Sequence, residues 1–145
     1  MEEDDFSEEL EMFIEAQDTV WHDVLAELKA GKKANHWMWF VFPQLAELGE
    51  SHMAQLYGIE DLAEASAYLA HPELNRRLIE VSRLVLTHSG TPADQIFGTT
   101  DAKKLRSSMT LFAAVPGAAS EFVQVLEAFF DGEFCPLTVR TLSGV

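Results

Sequence analysis

Between Ser7 and Ala30 the residues Leu10, Phe13, Ile14, Gln17, Val20, Trp21, Val24, Leu25 and Leu28 return at steps of three and four. That spacing lines one face of an amphipathic helix. It rules out a strand, whose side chains alternate with period two. A helix of this length, roughly 36 Å at 1.5 Å per residue, carries an apolar stripe that only other packed elements can cover. Ser7 reads as its N-cap, Glu8 and Glu9 suit the positive end of the helix dipole, and Gly31 beside Lys29, Lys32 and Lys33 reads as its end.

The covering elements are helices as well. The run NHWMWFVFPQ, residues 35–44, is too short and too continuously apolar for periodicity to decide its conformation. Asn35 suits an N-cap, and Pro43 disfavours the α region at Phe42 while suiting the start of a new helix. The expectation is a short helix, a break at Phe42, and a second helix PQLAEL closed by Gly49. Asp61 to Ala70 reads as a helix stopping at His71-Pro72. PELNRRLIEVSRLVLTH follows with Leu74, Leu78, Val81 and Val85 inward and its Glu73/Arg77 and Arg76/Glu80 pairs on a solvated face. Thr91-Pro92 opens a one-turn helix ended by Gly98, and Thr99 or Thr100 caps the next, which runs to about Val115. Ala119 to Phe130 buries Phe122, Leu126, Phe129 and Phe130, Gly132 stops it, and Pro136 opens a short last turn. About eight helices with short connections imply a compact all-α single domain over residues 1–145. The acidic start, residues 1–6, and the tail, residues 138–145, are left without an assigned element.

Composition narrows the function classes. With 48% hydrophobic residues, the 145-residue chain can fill one core. Its longest uninterrupted apolar run, Trp37 to Phe42, is far below the roughly 18 residues of a membrane span. The acidic MEEDD start is unlike a secretory signal, and the single Cys135 cannot form an internal disulfide; a soluble protein of the reducing cytoplasm is expected. A net charge of −14 argues against nucleic acid and anionic membranes as partners. Nine of the ten cations nonetheless fall in three groups: Lys29, Lys32 and Lys33; Arg76, Arg77 and Arg83; Lys103, Lys104 and Arg106.

No HExxH, GxGxxG, Walker loop or GxSxG occurs, so neither a metal nor a cofactor is implied and no catalytic residue is assigned. Two stretches remain. In the first, most of NHWMWFVFPQ is expected inside, with Trp39→Ala costing about 3–5 kcal/mol as a core truncation. A margin made of His36, Trp39 and Gln44 is the candidate ligand-reading edge. In the second, TTDAKKLRSSMTLF, Leu105, Met109 and Phe112 form the inward stripe, and Lys104, Ser107 and Ser108 share another face. Lys103 and Lys104 stand in a first turn, where the dipole disfavours cations unless an anion sits there. Lys103, Lys104, Ser107 and Ser108 are therefore candidate anion-binding residues. Arg106, on the opposite side, is expected in a structural ion pair.

The same stretches carry a resemblance. His36 to Gln44, Met53-Ala54, Tyr57-Gly58-Ile59, Ala67-Tyr68-Leu69, His71-Pro72 and Lys104 to Phe112 resemble the domain of unknown function 1810 family, small bacterial proteins, over roughly Phe13 to Leu137. The resemblance implies an all-helical domain and no activity. A calpastatin label, which members sometimes carry, conflicts with this composition, because a calpain inhibitor of that type is disordered. Two function classes stay open: a small-ligand site, enzymatic or not, for an anionic compound, and a non-enzymatic protein-interaction module using the acidic surface, its partner unknown. They part on whether the two stretches share one concave pocket.

Overall fold

The computed structural model describes residues 6–144. Among them nine α-helices follow one another with no strand: α1 (Ser7–Ala30), α2 (Met38–Val41), α3 (His52–Leu56), α4 (Leu62–Ala70), α5 (Pro72–Leu86), α6 (Ala93–Phe97), α7 (Thr99–Ala113), α8 (Glu121–Phe130) and α9 (Pro136–Leu142). A single 3-10 turn, Ala46–Leu48, lies between α2 and α3. The fold is all-α. No helix among the described residues is long and apolar enough to cross a membrane.

The stripe of α1 buries Phe13, Gln17, Val24 and Leu28, and its end closes on Gly31 in the left-handed region at φ 74°. His88 completes that end by donating from Nε2 to the Leu28 carbonyl at 2.8 Å. At the other end Phe6, not Ser7, holds the N-cap position. α7 packs against α4, α6, α8 and α9 and buries Ala102, Leu105, Ser107, Ser108, Met109, Thr110, Leu111 and Phe112. A helix covered on nearly every side is the middle of the bundle, and α1 reaches it through α5 and α8. Polar groups inside are paired across elements. The Gln17 amide donates to the Phe40 carbonyl and the Tyr68 hydroxyl, and its oxygen accepts from Arg77, which also binds Asp18 and Glu73. The Arg77 guanidinium lies over Trp21, so the Glu73/Arg77 pair is part of a half-buried network and not of a freely solvated face.

Residues 42–60 depart most from expectation. Instead of a helix opened by Pro43, Leu45 and Ile59 form a parallel bridge, with Ala46 N–H to Ile59 O at 2.8 Å and Ile59 N–H to Gln44 O at 2.9 Å. Gly58 permits it: a Cβ there would stand 2.4 Å from the Ala46 Cα and 2.9 Å from the Ala54 carbonyl oxygen. α3, capped by the Ser51 hydroxyl, was not anticipated at all. The cap of α6 is Pro92 and that of α7 is Gly98 at φ 83°, one residue beyond Thr91 and one or two before Thr99 and Thr100.

Glu64 gives a direct stability test. It is 2% exposed; its carboxylate accepts from the Glu60 N–H, and its own N–H goes to the Asp61 cap. Burial raises its pKa most, the Glu60 bond opposes this, and the charges of Glu9, Glu60 and Asp61 raise it further. A carboxyl whose pKa is higher folded than unfolded favours folding below its ordinary range, and that advantage is lost as pH rises through the folded value. Glu64→Gln keeps the acceptor and removes the charge. It is expected to stabilise the protein at pH 7 and to change little near pH 4. Urea unfolding at the two pH values checks this.

Candidate functional site

The site is built on the end of α1. Glu27, in its last turn, accepts on Oε1 from Ala34 N–H at 2.8 Å, Asn35 N–H at 3.0 Å and the Trp37 indole at 2.9 Å, and on Oε2 from the Asn35 amide. Burial alone would raise its pKa, but these bonds together lower it. Asn35 is thus spent on Glu27 and does not cap α2, whose N-cap position is Trp37. With the loop fixed, Trp37, Met38, Phe40, Val41 and Phe42 go inside, whereas Trp39 and Gln44 stay half-buried at the margin.

Two lysines meet this margin. The side chain of Lys33, 6% exposed, puts its ammonium 5.0 Å from the Trp37 ring centroid and 2.8 Å from Asp101 Oδ2. Lys104 lies 5.4 Å from the Trp39 centroid and 3.5 Å from Asp101 Oδ1. One carboxylate is shared by two cations, each over its own indole. The Trp39 Nε1, though buried, has no hydrogen-bond partner among the described residues.

Trp39, Phe42 and Gln44 from the first stretch, Ala54 and Tyr57 from the α3 region, and Lys104 from α7 line a narrow cleft of about 10 Å³, room for about one water. Other candidates lie elsewhere. His36 and Lys103 are exposed and off its wall. The Ser107 hydroxyl donates to the Lys103 carbonyl and approaches Cys135 Sγ at 3.6 Å, so it faces α9. Ser108 is fully buried, its hydroxyl without a partner among the described residues, and does not line the cleft. Arg106 binds the carbonyls of Glu133 and Phe134 and lies 3.6 Å from the Glu133 carboxylate, which is the structural ion pair expected of it. Sequence reasoning missed Lys33, Asp101, Phe42, Ala54 and Tyr57 as members of this region. Tyr57 had a signal in the Tyr57-Gly58-Ile59 motif; the Lys33–Asp101 contact, 68 positions apart, had none.

Larger hollows exist, about 490 Å³ along Ser66, Leu69, Asn75 and Val115 and about 530 Å³ along Glu47, Glu50 and Arg140. Both open widely to solvent, and neither sets a cation over an aromatic ring. The narrow cleft carries the more concentrated chemistry.

A family model described as protein of unknown function (DUF1810) matches residues 7–142. The chain belongs to this family. The conserved hypothetical protein Rv1873 from Mycobacterium tuberculosis, known from a crystal structure, is similar to it at 47% identity. The likeness covers 92% of this chain and 96% of that one, with a TM-score of 0.90. No curated protein matches the chain. The DUF1810 match includes every residue of the cleft, and neither description assigns an activity to such a domain.

Proposed function

We propose that this domain binds a small anionic ligand in the cleft between Trp39, Gln44 and Lys104. The observation that carries the reading is the Lys104 ammonium over the ring of Trp39 at the cleft wall, with the Trp39 indole N–H buried and without a partner among the described residues. A buried donor left unpaired costs roughly 1–3 kcal/mol, and such groups call for a ligand or water to complete them. Lys33 and Lys104 share one carboxylate, so the region keeps a surplus positive charge on a chain of net charge −14. No carboxylate, histidine or thiol lines the cleft, so the proposal is one of binding. Its compartment is proposed to be a reducing cytoplasm, suited to a lone half-buried Cys135.

A thermal-shift series against acetate, benzoate, phosphate and nucleotides tests the reading. A ligand at about 100 times its dissociation constant adds roughly 2.7 kcal/mol, which should raise the melting temperature by roughly 5–10 °C. Lys104→Ala is expected to lose that rise while keeping the melting temperature of the unliganded protein, since Asp101 retains Lys33. An equal rise in both proteins would place the binding elsewhere.

A further inference from the structure

Away from the cleft, we infer that the surface around α9 docks a basic amphipathic helix of a partner protein. The helix lays its apolar face in a hollow on one side of α9 and its cations in an acidic trough on the other. Among the described residues five large hydrophobic side chains stand exposed. Three of them, Phe134 at 50%, Leu137 at 54% and Val139 at 44%, lie close together in the chain. Scattered single side chains need no explanation, whereas a cluster of this kind marks a contact surface. Phe134 and Val139, with Ala113, Ala114 and Leu142, line a hollow of about 360 Å³ whose polar walls are the hydroxyl residues Thr110 and Ser143.

The apolar display is held in place from behind. The Arg106 guanidinium donates to the Glu133 and Phe134 carbonyls at 3.0 and 2.8 Å, and the Cys135 N–H donates to Thr110 Oγ1 at 2.9 Å. Thr138, wholly buried, seats α9 on the core. Side chains carried on a backbone fixed in this way lose less freedom when a partner covers them.

Charge selects the occupant. Leu142 also lines the neighbouring side, where two hollows of about 530 and 430 Å³ share Glu47 and Thr141 and form one trough. Its walls carry Glu47, Glu50, Glu60 and Asp61 against a single cation, Arg140, and between them stand Leu45, Leu62 and the exposed Leu137. None of the four carboxylates makes an ion pair among the described residues. A helix with Lys or Arg beside an apolar stripe brings both complements on adjoining faces. A second copy of the chain, at net charge −14, would set these carboxylates against like charge, and a self-complementary contact would set them against themselves. A small apolar molecule would fill the hollow and leave Leu137 and the trough uncovered. No residue of the narrow cleft lines either side, so this surface stands or falls apart from the anion reading.

The test titrates the full chain into a fluorescein-labelled Leu–Lys peptide with its leucines at helical spacing, followed by anisotropy. A scrambled peptide of the same composition and a Leu–Glu peptide of the same pattern serve as controls. The patterned Leu–Lys peptide is expected to bind at least tenfold more tightly than either. Phe134→Ser and Val139→Ser, at exposed positions that leave the core intact, should each weaken it at least fivefold. Glu47→Gln with Glu60→Gln should do the same. Asp23→Asn with Asp94→Asn removes as much charge from residues that line neither side, and should change binding less than twofold. Equal binding of the scrambled peptide, or equal loss in the two double variants, would reduce the effect to general charge attraction and overturn the inference. Equal binding of the Leu–Glu peptide, or no binding of the patterned Leu–Lys peptide, would overturn it too. Sedimentation of the chain alone completes the test: a dimer that Val139→Ser dissociates would give this face to a second copy and not to a basic helix.

Discussion

Trp37→Ala is expected to cost about 3–5 kcal/mol, the range for removing a large aromatic side chain from a packed core. The ring is 0% exposed, lies against Phe42, carries the Lys33 ammonium on its face and donates its N–H to Glu27. Alanine removes the packing and the donor together. Trp39→Ala, which the sequence alone placed in the same range, is expected to cost less than half as much, because that ring stands only half-buried at the cleft margin and its N–H has no partner among the described residues to lose. Urea unfolding of both variants, with the slope checked for constancy, measures the difference. A larger loss at Trp39 than at Trp37 would mean that the two rings have been given the wrong roles.

The long helices were legible because their information is local. α1, α5 and α8 each repeat an apolar stripe over enough turns for the three-and-four spacing to stand out, and His71-Pro72 marks a boundary by its own chemistry. The His71 ring even caps α5, accepting at Nδ1 from the Glu73 and Leu74 N–H groups. Residues 42–60 were not legible, because what shapes them is a bridge between Leu45 and Ile59 and the approach of Gly58 to Ala46. Neither contact leaves a periodic trace. α3, five residues long, is too short to show one.

The site divides along the same line. Trp39, Gln44 and Lys104 could be named because aromatic, amide and cationic side chains are conspicuous in their stretches, and the fold does set these three around one cleft. The helical-wheel argument that joined Ser107 and Ser108 to Lys104 assumed one solvent-facing side. α7 instead meets a neighbour on nearly every side, so Ser107 belongs to the α9 contact and Ser108 to the interior. Asp101 took the anion's place at the helix start, an exchange visible only once Lys33 is brought to it from the end of α1.

Glu27→Ala is expected to destabilise the protein by about 2–4 kcal/mol, because hydrogen bonds to a charged group and a newly orphaned buried donor each weigh about 1–3 kcal/mol and partly overlap. The carboxylate gathers two backbone N–H groups, the Asn35 amide and the Trp37 indole. Glu27→Gln should fall between wild type and alanine: its carbonyl can keep the Oε1 bonds, but its NH₂ then faces the Asn35 NH₂. The carboxyl's folded pKa lies below its ordinary range, with the four bonds outweighing burial. Its share of stability is therefore full above the unfolded value near 4.5 and is lost as pH falls through the folded one. Urea midpoints from pH 7 down to pH 3 should show wild type losing stability over that interval and converging on Glu27→Ala. Parallel curves would mean that the ionised form makes no special contribution. Because Glu27 and Trp37 share a bond, Glu27→Ala combined with Trp37→Phe should cost less than the two changes added. The same loop sets Lys33 beside Asp101 and leads into α2 with Trp39, so Glu27→Ala is also expected to weaken ligand binding at the cleft without touching the ligand.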